Sequence, residues 1–154
     1  MEHTSFTYSN LKQMKKYTLG FIFNSSMDKV LLVHKLSPEW QRGKLNGLGG
    51  KLEPGEGGLD CIVREVREES GLSTEKDAWV RLGNLASDDW SVDVFALVYT
   101  GNSNDARSLE KEKVEWFAVQ KLPANVIDNL PWLVAFAIDK LKSEKLETFS
   151  VRYK

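Results

Sequence analysis

Three glutamates, Glu65, Glu68 and Glu69, stand at spacings i, i+3 and i+4. On a helix those spacings place three carboxylates on one face, with Cβ atoms about 5–6 Å apart. Like charges so placed repel unless a counter-ion relieves them. Carboxylate oxygens are the donors a hard divalent cation such as Mg²⁺ prefers. A bound cation of that kind neutralises charge and activates water. The alternative is a solvated acidic face, with Arg64 and Arg67 supplying nearby positive charge. The local imbalance is real. Between Gly50 and Leu72, Glu53, Glu56, Asp60, Glu65, Glu68 and Glu69 face only Lys51, Arg64 and Arg67, a local charge of −3 in a chain of net charge −1.

The element that positions them is a helix over 59–70. Leu59, Ile62, Val63 and Val66 form its apolar stripe, and Gly71 stands in a C-terminal capping position. Upstream, 17–23 and 30–34 read as a strand hairpin across the turn 24–28. A loop over 36–44 precedes a glycine-broken strand over 45–52, and such glycines often mark close approach of a ligand or another backbone. Residues 53–58 are a loop. Strands are predicted over 78–86 and 91–99, and a last one over 114–119. Pro131 opens a helix to about Leu146, with Asp128 or Asn129 as its cap. Strands flanking one helix, with a second helix at the end, predict an α/β domain with a mixed sheet between helices. That domain covers 17–146, with an N-terminal arm over 1–16 and a C-terminal tail over 147–154.

The chain has 154 residues, 42% hydrophobic and 28% charged, the profile of one soluble globular domain. No apolar run reaches the roughly 18 residues a membrane span needs, and the N-terminus carries no apolar block after its charges. The single cysteine, Cys61, cannot build a disulfide framework, so a reducing cytoplasm is expected. The charge balance lacks the basic excess of a duplex nucleic-acid binder. No membrane partner is expected, and oligomeric state is left open.

The acids and glycines obey one pattern: Gly50, five residues, Glu56, seven residues, Arg64-Glu65-Val66, one residue, Glu68-Glu69, one residue, Gly71-Leu72. This matches the Nudix box at every fixed position, and the chain resembles the Nudix hydrolases. Seven fixed residues at ordinary usage coincide by chance on the order of 10⁻⁹ per start position. The resemblance implies an α/β/α sandwich with a mixed β-sheet and a loop–helix–loop metal platform. It implies hydrolysis of a nucleoside diphosphate linked to another group, with Mg²⁺ as cofactor and Mn²⁺ as a substitute. It implies that Glu65, Glu68 and Glu69 ligate the metal together with the backbone carbonyl of Gly49. Glu65 or Glu68 would orient the attacking water. Glu56 and Arg64 would hold the loops to the helix, Gly50 would allow backbone approach and Gly71 would end the helix. A further carboxylate before the last strand is Glu110 or Glu112. Spacing does not decide between them; Glu112 is preferred.

Within the family, the chain resembles the oxidised-purine triphosphatases, bacterial MutT and its human counterpart. By that resemblance Thr18 and Lys35 line the nucleotide site. Asn46, in Asn46-Gly47-Leu48-Gly49-Gly50-Lys51, contacts the base, and Asp128 and Asn129 read it. Leu48, Gly49, Gly50 and Lys51 complete the expected substrate contacts. Each has a plainer alternative: Thr18 as a β-former, Lys35 as a solvated strand end, Asn46 as a turn residue, Asp128 and Asn129 as helix caps. The chain departs from the pattern at Leu45 and Asn129, and Asn125, after Pro123-Ala124, is a rival base reader. Trp40 could cover a base, and Trp116 and Trp132 could line a pocket; Trp79 and Trp90 read as packing residues. Cys61 reads as packing and not as a nucleophile. The Ser-Gln-Pro-Trp-Pro array of NADH pyrophosphatases is absent.

The expected activity is Mg²⁺-dependent cleavage of a nucleoside triphosphate, including oxidised forms such as 8-oxo-dGTP, to monophosphate and pyrophosphate. The alternatives are a Nudix hydrolase of dinucleoside polyphosphates, ADP-ribose, nucleotide sugars or RNA 5′ ends, and a non-catalytic nucleotide sensor.

Overall fold

Alternate side chains of a strand point to opposite faces, and the central strands here are apolar on both. The sheet must therefore be covered twice. In a computed structural model describing residues 13–143 and 145–154, two helices do this. The strands are β1 (Lys15–Phe23), β2 (Lys29–His34), β3 (Leu45–Asn46), β4 (Val80–Ala86), β5 (Trp90–Val98), β6 (Val114–Ala118) and β7 (Phe149–Arg152). The helices are α1 (Gly58–Ser70) and α2 (Leu130–Lys142). The sheet order is β3-β2-β1-β5-β4-β7, with β6 on β2. β1 with β5 and β4 with β7 are parallel; the other pairs are antiparallel, so the sheet is mixed.

Leu19, Phe21 and Phe23 of β1 join Val30, Leu32, Val94 and Ala96 in one core, closed by Leu130, Leu133, Val134 and Ala137 of α2. Ile22, Leu31, Phe95 and Leu97 point the other way and meet Ile62 and Val66 of α1. Fully burying one such side chain is worth about 1.5–3 kcal/mol, so both layers contribute heavily. The expected α/β/α sandwich is what forms. Among the described residues no helix is long and apolar enough to cross a membrane.

Three expectations are corrected. The stripe of α1 contains fully buried Cys61, whereas Leu59, in the first turn, is 38% exposed. The strand at Val114–Ala118 is not the last. The chain leaves α2 at Ser143, in an extended conformation, and returns as β7 inside the expected tail. β7 pairs with the edge of β4 from Gly83 to Ala86, and Phe149 and Val151 pack on the α2-side core. β1 begins at Lys15, within the expected arm; residues 1–12 of that arm lie outside the described residues.

Candidate active site

The segment after β3 is pressed flat against β1. Thr18 N–H donates to Gly50 O at 2.9 Å, and Gly20 and Leu48 exchange backbone bonds at 2.6 and 3.0 Å. Only glycine permits this at position 49. Its φ is +150°, and a Cβ there would stand 2.0 Å from the Thr18 carbonyl oxygen. At Gly50 the neighbour is different: a Cβ would lie 2.5 Å from Oε1 of Glu65. The missing side chain of Gly50 is where the Glu65 carboxylate rests.

α1 delivers the acids because its apolar face is fixed in the core and Gly71 ends it in the left-handed region, φ +75°, with its N–H on Arg67 O. Arg64 is the centre of the charge network. Its guanidinium grips Glu56 through two bonds of 2.8 and 2.9 Å, and donates to Glu65 Oε1 at 2.9 Å, Glu68 Oε2 at 3.2 Å and Lys51 O at 3.2 Å. Such forked pairs are among the stronger ionic hydrogen bonds. The bond to Arg64 holds the Glu56 carboxyl down at about 2. Glu56 also accepts from Glu53 N–H at 3.1 Å, which closes the loop onto the helix.

Glu69 is only 5% exposed, and its Oε1 accepts from Gly49 N–H at 3.1 Å. Burial, with Glu65 beside it, pushes its carboxyl up to about 8. Burial likewise raises Glu65. Glu68 is the open member, its side chain 48% exposed. Two sequestered carboxylates that resist ionising, with a third at the surface, are a hard-oxygen donor set that fits a divalent cation. Among the described residues, no three His, Cys, Asp or Glu side chains converge on one point as they stand, and Arg64 engages both Glu65 and Glu68.

A cleft of about 770 Å³ opens on the α2 side of the sheet and reaches this platform along Gly49, Gly50 and Lys51. Lys15, Lys35 and Lys51 line it, and Trp40 and Trp90 add aromatic surface. The volume is in the range of small-molecule sites.

Not every expected contact falls here. Lys35, Asn46, Gly49, Gly50, Lys51 and Asn129 line the cleft. Asn46 donates to Gln41 at 3.1 Å and accepts from Gly47 N–H. Thr18 lines it too, but its hydroxyl donates to Cys61 Sγ at 3.3 Å. Leu48 is fully buried in the α1-side core and does not line the cleft. Its side chain points through the sheet because its backbone pairs with Gly20. Asp128 is exposed and outside the cleft. Asn129 occupies the cap position of α2 without making a side-chain cap bond. Asn125 is tied to the loop, donating to Gly43 O and accepting from Leu45 N–H.

Glu112 faces Lys35 at 3.0 Å and accepts from the N–H groups of Leu36 and Ser37. Burial raises its carboxyl, but these partners outweigh that and hold it below the usual range. It buttresses the 35–37 loop, and of these two acids Glu110 is the one whose charge, after that of Glu65, acts on Glu69. Cys61, with its thiol pushed up to about 11 by burial, is no nucleophile.

The NUDIX domain family matches residues 14–136, most of the chain. The chain belongs to the Nudix family. The NAD-capped RNA hydrolase NudC of Pseudomonas putida (strain GB-1) is 34% identical to it over 96 residues, 62% of this chain and 34% of that protein. The 8-oxo-dGDP phosphatase NUDT18 of Homo sapiens is 31% identical over 117 residues, 70% of this chain and 33% of that protein. The chain thus spans about a third of the length of the curated relatives it matches. The crystal structure of a MutT NUDIX hydrolase from Burkholderia pseudomallei shares the fold, with a TM-score of 0.67 at 20% identity over 80% of this chain and 97% of that one.

Several residues in or behind this Nudix cleft are not marked by the sequence. Lys15 and Tyr17 line it from the start of β1, which runs further upstream than its apolar stretch. Trp90 faces the cleft, whereas Trp116 bonds Ser103 O and Trp132 stacks on Phe149. Tyr153 lies behind the cleft wall, its hydroxyl accepting from Asn129 Nδ2 at 3.2 Å. The alternation Phe149, Val151, Tyr153 is the signal that would have revealed β7.

Proposed function

We propose that this Nudix hydrolase cleaves nucleoside triphosphates, oxidised purine forms included, to nucleoside monophosphate and pyrophosphate. The observation that carries the reading is the strip Gly49-Gly50-Lys51, which belongs at once to the nucleotide-sized cleft and to the carboxylate platform. A ligand with its base in the cleft would lay its phosphates along that strip.

Lys15, Lys35 and Lys51 would draw in and orient the phosphate chain. The Glu65, Glu68 and Glu69 carboxylates, with the Gly49 carbonyl, would hold Mg²⁺, Mn²⁺ being the natural substitute. The cation supplies charge neutralisation at the phosphoryl oxygens and lowers the pKa of water. Glu65 or Glu68 would orient the attacking water, and Glu68 is the more open of the two. Arg64 holds the Glu65 and Glu68 side chains, and Glu56 holds Arg64. On the base side, Asn46 and Asn129 offer amide groups, and Trp40 and Trp90 offer faces for stacking.

A second reading has its own support. Relatives named as NAD-capped RNA hydrolases match 62% of the chain, and Trp40 stands 64% exposed at the cleft mouth, where it could meet a second planar group. One assay separates the two. The protein is given Mg²⁺ with dGTP, 8-oxo-dGTP, dATP, dCTP, ADP-ribose, diadenosine polyphosphate and NAD-capped RNA, and phosphate is distinguished from pyrophosphate. Pyrophosphate release from triphosphates, fastest with a purine, is the expected result. Turnover confined to dinucleotides or capped RNA would replace it with the second reading. Binding without turnover would make the chain a sensor.

A further inference from the structure

Asn129 carries a feature its neighbours do not explain. Its Oδ1 is buried and, among the described residues, has no hydrogen-bond partner, although the residue lines the cleft. A buried amide oxygen left unpaired is costly. Tyr153 anchors the other end of the amide: Nδ2 of Asn129 donates to the Tyr153 hydroxyl at 3.2 Å. The ring of Tyr153 also packs on Trp90 at 5.5 Å between centroids, and Trp90 lines the same cleft. Tyr153 itself does not line it, and it is 38% exposed.

The backbone keeps Tyr153 there. Its N–H donates to Ala86 O at 2.8 Å, immediately after the β7–β4 ladder, and the Arg152–Asp88 ion pair pins the adjacent position. The final strand is thus joined to two residues of the cleft wall by one side chain.

We propose that Tyr153 is a specificity-positioning residue: its hydroxyl anchors the Asn129 side chain while its ring supports Trp90. With one Nδ2 hydrogen on Tyr153, the amide is anchored, and Asn129 keeps a second N–H and its carbonyl oxygen. An amide anchored in this way meets a base edge at a fixed angle, which is what discrimination between bases requires. This deepens the nucleotide-cleft reading and rests on Asn129 facing the base.

The test compares Tyr153→Phe, which keeps the ring on Trp90 and removes the hydroxyl, with Tyr153→Ala and Asn129→Ala. The readouts are kcat and KM in Mg²⁺ for dGTP, dATP, dITP and dCTP, with melting temperature as a control for folding. Tyr153→Phe is expected to compress the ratio of kcat/KM between best and worst base by about 5–10-fold, the weight of one hydrogen bond. The loss should fall on KM more than on kcat and leave the Mg²⁺ dependence unmoved. Tyr153→Ala should add a further loss shared by all bases, as Trp90 loses its support. If Asn129→Ala alters the base ratio and Tyr153→Phe does not, the positioning role is overturned. If Asn129→Ala leaves the ratio untouched, it is the nucleotide-cleft reading of that wall that falls. A Tyr153→Phe protein with lowered melting temperature and an unchanged base ratio would mark the residue as structural only.

Discussion

Adding one methyl group at Gly50 should disable the site without unfolding the protein. The Cβ of Gly50→Ala would stand 2.5 Å from Glu65 Oε1 and 2.6 Å from its Cδ. Ordinary contact begins near 3.4 Å, so the carboxylate must retreat by about 0.9 Å. The displaced atoms are the end of a side chain with rotatable bonds, so the fold can yield at small cost. Position 50 is not among the positive-φ glycines, so alanine also gains the entropic benefit of a stiffer unfolded chain, about 0.4–1 kcal/mol. The net change in stability should lie within about 1 kcal/mol, a few degrees in melting temperature. Catalysis has no such slack: a misplacement of about 1 Å costs on the order of 10²-fold, near 2.7 kcal/mol of barrier. Gly49→Ala is the control with the opposite signature. Its Cβ would meet the Thr18 carbonyl at 2.0 Å from a φ of +150°, and neither backbone can rotate away. That variant should lose about 3 kcal/mol or more. Thermal melts and steady-state hydrolysis at saturating Mg²⁺ read both. A Gly50→Ala enzyme within threefold of wild type, or a Gly49→Ala protein of unchanged stability, would refute the account of this strip.

Three further outcomes follow from the charges. Glu68→Gln should cut turnover by at least about 10²-fold with the fold intact, since Glu68 sits at the surface and its loss removes a donor and not a core contact; near wild-type rates would remove it from the metal assignment. Glu56, ordinarily near 4.5, is held at about 2 in the fold, so its contribution to stability is complete above pH 4.5 and drains away as pH falls toward 2. Glu56→Gln should flatten the acid limb of a melting-temperature profile over that window, and an unchanged limb would count against the Arg64 clamp. Glu69 behaves in the opposite sense: a carboxyl raised to about 8 stabilises the fold fully below pH 4.5 and loses that contribution as pH rises through 8. In chelator, Glu69→Gln should therefore melt higher than wild type at alkaline pH, and added Mg²⁺ should stabilise wild type more than the variant. Equal melting of the two proteins in chelator at pH 9 would show that Glu69 ionises there without penalty.

The sequence was most legible where one physical rule governs a residue. A helix whose apolar stripe is fixed must show Glu65, Glu68 and Glu69 on the adjoining face, and the left-handed Gly71 must end it. The mixed sheet between helices followed from strands that flank one helix, with a second helix at the end. Legibility failed where position depends on a partner far along the chain. Leu48 and Lys51 look alike as neighbours of the glycine strip, yet one is buried and the other exposed, because pairing with β1 sets which way each side chain points. Glu110 and Glu112 differ by two residues, and only the fold shows that the Leu36 and Ser37 amides and Lys35 capture Glu112. β7 was hidden because four residues of edge strand carry a weak signal beside the polar segment that precedes them.

Arg64 joins these two kinds of residue. Spacing alone marks it as part of the box, but its work is visible only in three dimensions. The same guanidinium that clamps Glu56 and the Lys51 carbonyl also contacts Glu65 and Glu68. A segment with charge −3 thereby has a fixed internal counter-charge, so the loops can close around α1 before any cation arrives. The compensation is incomplete by geometry: Arg64 contacts neither the Glu69 carboxylate nor the Gly49 amide that holds it. The glutamate that Arg64 leaves out is the one whose buried carboxyl is driven highest. The platform is thus stable enough to form with its own arginine and still carries, at Glu69, an electrostatic demand that a divalent cation would satisfy.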